Sequence, residues 1–224
     1  MEISTIKLKG MRFECREGTM DEYVCREVIG GTYKALEVKP GDIVLDIGAN
    51  IGVFSVMAAR AGAAVYAYEP SAENCAQAKR NFHLNDVCHS VLLDFVAVVG
   101  NNDKSRNFYL NLKKNSGGHS LYVKRGRREV TVDAVEINSI IEAKRPNKIK
   151  IDAEGAELEI INAVLPSNWS SIQKLIFEYH FSILKDKDKS KYFSLIETLK
   201  KYFPNITYNP APGKNWTTIV YASK

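Results

Sequence analysis

From Asp42 onward the chain alternates two kinds of apolar pattern. "DIVLDIG" is a short continuous apolar run, the pattern of a parallel strand buried on both faces. "VFSVMAARAG" follows with helical periodicity and stops at Gly62. "AVYAYEP" is a second strand closed by Pro70, and "SAENCAQAKRNFHLN" is helical, with Ser71 as N-cap and Glu73 in its first turn. "SVLLDFVAVVG" is a third apolar run. Later come a fourth strand in "KIKIDAE", a helix in "GAELEIINAVLPSNW", a fifth strand in "KLIFEYH" and a helix in "DKDKSKYFSLIETLKKYF". Strands alternating with helices predict an α/β fold with a doubly wound, mostly parallel sheet and right-handed crossovers. "NITYNPAPGKNWTTIVYAS" predicts a closing antiparallel hairpin around a Pro/Gly turn.

Two segments stand outside this alternation. In residues 1–40, "STIKLKGMRFEC" and "EYVCREV" flank the polar "REGTMD", which predicts an N-terminal β-hairpin preface. Residues 101–129 are polar and rich in Asn, Gly and basic residues, with one possible strand in "RNFYLNL". They are expected to form a loop or hairpin insertion. "TVDAVEINSIIEAK" reads as a helix. No repeat or boundary divides the chain, so its 224 residues are expected to form one domain.

Composition narrows the class only a little. Hydrophobic residues make up 45% and charged residues 25%, as in soluble globular proteins. The net charge of +5 permits anionic partners without arguing for nucleic acid. No apolar run approaches the roughly 18 residues of a membrane span, and the first residues lack the apolar core of a secretory signal. Cys15, Cys25, Cys75 and Cys88 show no C-x-x-C spacing and are expected to be reduced thiols in a cytoplasmic protein. Cys15 and Cys25 could face each other across the hairpin, but a disulfide is not expected.

The loop "LDIGANIGVFS" carries the first candidate chemistry. It lies where a doubly wound sheet opens its ligand crevice, with Gly48 permitting a tight turn and close approach to a ligand. Gly52 permits close packing of the following helix. Asn50 replaces the second glycine of a dinucleotide fingerprint, and Asp46 at the strand end repels phosphate. Asp46 suits instead a cationic ligand group, met directly or through water, as in S-adenosylmethionine with its ammonium and sulfonium. Glu69, at the end of the second strand, suits a pair of ribose hydroxyls. Asp94 and Phe95 fall where an adenine would be met, with Val96 as an alternative wall.

"VLDIGANIGVFS", "YAYEP", "IKIDAEGAE" and "FEYH", in that order, resemble the FkbM-type S-adenosylmethionine-dependent methyltransferases, over about Lys39 to His180. The resemblance implies a class I methyltransferase fold, a seven-stranded sheet with a reversed final strand. It also implies methyl transfer, most often to oxygen. On its motifs Asp46, Gly48, Asn50 and Gly52 would line the methionine part of the cofactor and Glu69 the ribose. Ala49 and Pro70, inside the same two blocks, are counted with that site. The chain departs from the family where a Leu-Asp pair usually precedes the fourth strand; Glu136 and Ile137 stand there instead.

"DAEGAE" and "FEYH" carry the candidate catalytic groups. Asp152, at the end of the fourth strand, faces the reaction crevice and is counted with both the catalytic and the cofactor residues. Glu154 and His180 are the other candidate bases, since methyl transfer to a hydroxyl needs an acceptor for its proton. Asp152 and Glu154 would point to opposite faces while the strand continues. Glu154 and Glu157 could equally complement a helix N-terminus, and Glu159 reads as a solvated charge. Asp152, Glu178 and His180 could bind a metal, but their spacing matches no metal signature and none is assigned. His119 in "SGGHS" could close over a substrate or lie on the surface.

The expected function is O-methylation of a small-molecule or glycan hydroxyl. The alternative is an RNA-modifying methyltransferase that uses the basic 113–128 segment, with "LKKN", Lys124, Arg125, Arg127 and Arg128, and with Tyr109 and Tyr122 for stacking. A cofactor-binding module without chemistry is a third possibility. No membrane association is expected.

Overall fold

The computed structural model describes residues 2–111, 118–186, 189–210 and 217–224. Its central sheet has seven strands: β3 (Ile43–Ile47), β4 (Ala64–Tyr68), β5 (Val91–Asp94), β9 (Lys148–Ile151), β10 (Lys174–His180), β11 (Asn205–Pro210) and β12 (Thr217–Ser223). Their order is β11-β12-β10-β9-β3-β4-β5. β12 runs antiparallel to both neighbours, and the pairings from β10 to β5 are all parallel. This is the reversed-strand sheet of class I methyltransferases.

Alternate residues of each buried strand feed two cores. Val44 and Ile176 belong to one face, with α1 (Asp21–Gly30), α2 (Val53–Arg60) and α3 (Ala72–Leu84). Leu45 and Leu175 belong to the other, with α4 (Ile137–Lys144), α5 (Glu157–Ala163) and α6 (Ser190–Leu199). Helices on both faces force the strands to be apolar on both sides, which is the continuous pattern seen in "DIVLDIG".

The preface differs from expectation. The hairpin lies entirely within its first run, as β1 (Ile3–Leu8) and β2 (Met11–Arg16). The turn residues Lys9 and Gly10 both have positive φ, 47° and 81°, as a twisted two-residue hairpin turn requires. "EYVCREV" is the helix α1. Cys25, Val28 and Ile29 are its buried stripe, at helical spacing, and Asp21 and Glu22 open its first turn. Cys15 and Cys25 do meet, at 3.8 Å between sulfurs, but strand against helix and as free thiols. The β2 backbone is satisfied by amides of α3: Asn85 and Asn81 accept from the N–H of Arg12 and Glu14, and Gln77 donates to the Glu14 carbonyl.

Two other segments also differ. "SVLLDFVAVVG" breaks at Phe95 and Val96 into β5 and β6 (Ala97–Val99), which enter different sheets. The front of "TVDAVEINSIIEAK" is strand, not helix: β8 (Arg128–Glu136) carries Val130, Thr131, Val132 and Val135, whose branched side chains suit a strand. Only from Ile137 does α4 begin, with Glu136 as N-cap accepting from Asn138 and Ser139 N–H. β7 (Ser105–Leu110) pairs antiparallel with β8, and β6 runs parallel to it on the other side. This three-stranded sheet walls one side of the crevice.

Candidate functional site

The crevice opens beyond the C-terminal ends of β3, β4 and β9. The loop after β3 is strapped to β4 because Gly48 and Ala49 N–H both donate to the Tyr68 carbonyl, at 2.9 and 3.1 Å. Gly48 has φ +76°, and a Cβ there would overlap the Asp152 carbonyl oxygen. The loop backbone therefore touches the end of β9 directly. Asn50, also at positive φ, donates its N–H to Glu69 Oε2 at 2.9 Å. Ser71 N–H donates to Oε1 of the same carboxylate at 2.9 Å. Burial pushes the Glu69 carboxyl above its usual range, while those two N–H groups pull it back.

Gly48, Asn50, Glu69, Pro70, Asp152 and Glu154 line one cavity of about 50 Å³. Pro70 and His119 also line an adjoining cavity of about 350 Å³, walled by Phe95, Leu110 and Val132. A nucleoside anchored on Glu69 would extend past Pro70 into this second space. Asn50 Oδ1 is buried in the loop and has no hydrogen-bond partner among the described residues, so it is free to accept from a bound hydroxyl or ammonium. Orphan acceptor, glycine cradle and strand-end carboxylate together fit a cationic nucleoside such as S-adenosylmethionine.

Other residues fall elsewhere than expected. Asp46 is 0% exposed and lines neither cavity. Its carboxylate lies 3.0 Å from Lys150 Nζ and accepts from Ser55 Oγ at 2.6 Å. Of the two expected routes to a ligand, direct contact is not available to Asp46, which lies beneath the loop against Lys150, whose Nζ donates to the Gly48 carbonyl at 2.7 Å. Gly52 lines neither cavity; it faces α3, and a Cβ there would strike the Phe82 ring, 2.9 Å from Cζ. Ala49 contributes its backbone tie to Tyr68 and no cavity wall. Asp94 accepts from Glu69 N–H through its carbonyl at 3.2 Å and lines neither cavity. Phe95 walls the second cavity. Val96 lines neither, and Ala97 and Val98 take that place in the first.

The acidic cluster is assembled where β9 ends and β10 ends. Strand alternation stops at Ile151, and Glu154 adopts φ +47°, so Asp152 and Glu154 reach the same cavity, not opposite faces. Tyr33 donates to Asp152 Oδ2 at 3.0 Å. Glu157 is 0% exposed and turns inward, accepting from Ala153 and Gly155 N–H. It also binds His180 Nδ1 at 2.9 Å; because an ionised carboxylate only accepts, Nδ1 is the donor. Burial opposes charge on His180, but Glu157 and then Glu154 outweigh it and hold the imidazole well above its usual pKa. Burial raises Glu154 to about 8 against the pull of His180. Burial, with Asp152 next to it, raises Glu178 to about 7.

Several functional neighbours had no role in the sequence reading. Tyr33 and Lys150 were not singled out, although two lysines inside the apolar "KIKI" signal buried acid partners. Glu159 is not a solvated charge: it binds Gly100 N–H, Arg106 and the Tyr122 hydroxyl. His119 lies between the two cavities, accepts from Asn111 N–H at 2.9 Å, and is pushed down to about 4 by burial and Arg127, so it is neutral. Tyr33→Phe is expected to cost about 1 kcal/mol of stability, the worth of one side-chain hydrogen bond. Urea unfolding measures it, and an unchanged midpoint would show that the Asp152 contact contributes nothing.

The sheet order and this crevice define a class I methyltransferase. A family profile, the methyltransferase FkbM domain, matches residues 46–208. The chain belongs to that family and is an S-adenosylmethionine-dependent methyltransferase. It is 24% identical over 185 residues to "Methyltransferase 1" of Beauveria bassiana, covering 70% of this chain and 72% of the relative. Its fold is similar to that of a precorrin-6y C5,15-methyltransferase from Geobacter metallireducens, with a TM-score of 0.52 and 12% identity, covering 94% of this chain and 92% of that one. A tRNA (uracil-54, C5)-methyltransferase from Pyrococcus abyssi, solved with S-adenosyl-L-homocysteine, has a TM-score of 0.56 and 12% identity. All of this chain is covered in that comparison and 45% of the other. Among the described residues no helix is long and apolar enough to cross a membrane.

Proposed function

We propose that the protein transfers a methyl group to a hydroxyl of a small molecule or glycan. The observation that supports this reading most strongly is the pair of carboxylates, Asp152 and Glu154, that line one cavity with Gly48 and Glu69. Glu69 would hold the ribose, and Asn50 with the Gly48 backbone would hold the methionine part. Bound there, S-adenosylmethionine supplies an electrophilic methyl on a sulfonium. The acceptor oxygen gains the methyl, the sulfonium is left as a neutral thioether, and the hydroxyl proton passes to a base of this chain. Glu154, raised by burial, suits that base at neutral pH. Asp152, fixed by Tyr33, orients the acceptor. Leu110, Asn111 and His119 of the 101–129 excursion wall the second cavity, and residues 1–224 are read as one methyltransferase domain.

The RNA reading has less support. Lys124, Arg125 and Arg128 are exposed, but Tyr109 is 3% exposed beneath Lys124 and Tyr122 is tied to Glu159. "LKKN" lies outside the described residues. Mass spectrometry of a metabolite and RNA extract incubated with pure protein separates the two; methylated RNA with no methylated small molecule would reverse the choice. The cofactor site has its own test. Glu69→Gln keeps an acceptor for only one of the Asn50 and Ser71 N–H groups and loses the charge on the ribose. It is expected to weaken S-adenosylhomocysteine binding about 10–100-fold by calorimetry, the range of a charged hydrogen bond. Unchanged affinity would remove Glu69 from the site.

A further inference from the structure

We propose that Asp152, Glu178 and His180 hold one first-row divalent cation beside the acceptor position. The inference rests on the O-methylation reading and adds a Lewis acid to it. One donor atom from each of the three side chains lies within 4.8 Å of the others. A divalent ion bonds such donors at about 2.0–2.2 Å, so each would move by less than about 1 Å to meet it. The donors come from two neighbouring strand ends, β9 and β10, so the sheet itself sets their spacing.

His180 supplies the independent observation. Its side chain is 8% exposed, and Nδ1 is committed to Glu157. Nε2 is turned toward the carboxylates of the cluster. Carboxylate oxygens of Glu154 and Glu178 lie 3.7 and 3.9 Å from it, beyond hydrogen-bond length. A carboxylate that fixes one imidazole nitrogen and presents the other is the arrangement that orients metal-binding histidines. Asp152 uses Oδ2 for the Tyr33 hydroxyl and keeps Oδ1 for a cation. The buried ammonium of Lys150 is engaged elsewhere, paired with Asp46. Two carboxylates with one imidazole mix the donors favoured by Mn²⁺ with those favoured by Zn²⁺ and Fe²⁺.

A cation there would bind the acceptor hydroxyl and lower its pKa, so that the proton leaves to Glu154 before or as the O–C bond forms. Its binding also requires His180 in the neutral form and so releases the Nε2 proton.

The test is a manganese titration of the chelator-treated full chain, followed by loss of the free Mn²⁺ paramagnetic signal. Wild type is expected to bind one Mn²⁺, and Glu178→Gln and His180→Gln are each expected to weaken binding at least about 10-fold. No Mn²⁺ binding by wild type overturns the proposal, as does equal binding by both variants. Where His180→Gln melts early, Glu178→Gln carries the test, since Glu178 is the less buried of the two. S-adenosylhomocysteine is titrated in parallel. Cofactor bound without Mn²⁺ sinks the cation alone, and Mn²⁺ bound without cofactor sinks the methyl-transfer site alone.

Discussion

Gly48→Ala is expected to abolish S-adenosylhomocysteine binding and to cost more than about 3 kcal/mol of folding stability. Two effects add. The residue sits at φ +76°, where an L side chain is strained by about 1–2 kcal/mol. The new Cβ would also overlap the Asp152 carbonyl oxygen and stand 2.8 Å from its carbonyl carbon. Neither partner is the free end of a flexible side chain. The loop is pinned by Gly48 and Ala49 N–H on the Tyr68 carbonyl, and Asp152 N–H is bound to Ile47 at 3.0 Å. Relief requires β3 and β9 to separate at their ends, which moves Asn50 off Glu69 and Asp152 off Tyr33. Urea unfolding and calorimetry measure the two losses. A variant that keeps both within a factor of two would show that the loop does not lie against β9.

The residues legible from sequence are those whose role is set by local geometry. Gly48 marks a turn, Glu69 ends a strand, and each needs only its own neighbours to be placed. Asp46 is read by the same logic, but its partner Lys150 is not legible there, because it lies on β9, far along the chain and adjacent only in the folded sheet. "KIKI" held a usable signal, since Lys148 and Lys150 are both buried and require acids nearby, here Asp42 and Asp46. Period carried the long elements and failed on the short ones. "EYVCREV" fits a strand or a helix in so small a window, and only the core beneath α1 selects the helix. The same limit hid β8 inside "TVDAVEINSIIEAK". Tyr33 was beyond reach, because a helix–turn in the preface has to fold over the sheet before its hydroxyl meets Asp152. His180 was legible as a strand-end imidazole, but its orientation depends on Glu157 turning inward after a positive-φ bend at Glu154 and Gly155.

Lys150→Met is expected to destabilise the protein by about 3–5 kcal/mol, because it leaves Asp46 as an uncompensated charge in the core. The pair is sealed, with side-chain exposures of 3% and 0%. Burial works against the ammonium, but Asp46 outweighs it and holds Lys150 above its ordinary pKa. Asp46→Asn combined with Lys150→Met removes both charges and is expected to be more stable than Lys150→Met alone, with a coupling of at least about 2 kcal/mol in the cycle. Stability and function then part company. The double variant still lacks the Nζ that donates to the Gly48 carbonyl and sits 5.4 Å from the centre of the Tyr33 ring. That one ammonium braces the Gly48 loop and the tyrosine bound to Asp152. Cofactor affinity should therefore stay low in the double variant while the melting midpoint recovers. If affinity returned together with stability, Asp46 and Lys150 would be a core ion pair with no positioning role. If the two substitutions were additive, the ion pair itself would be ruled out as the reason these residues sit opposite each other on β3 and β9.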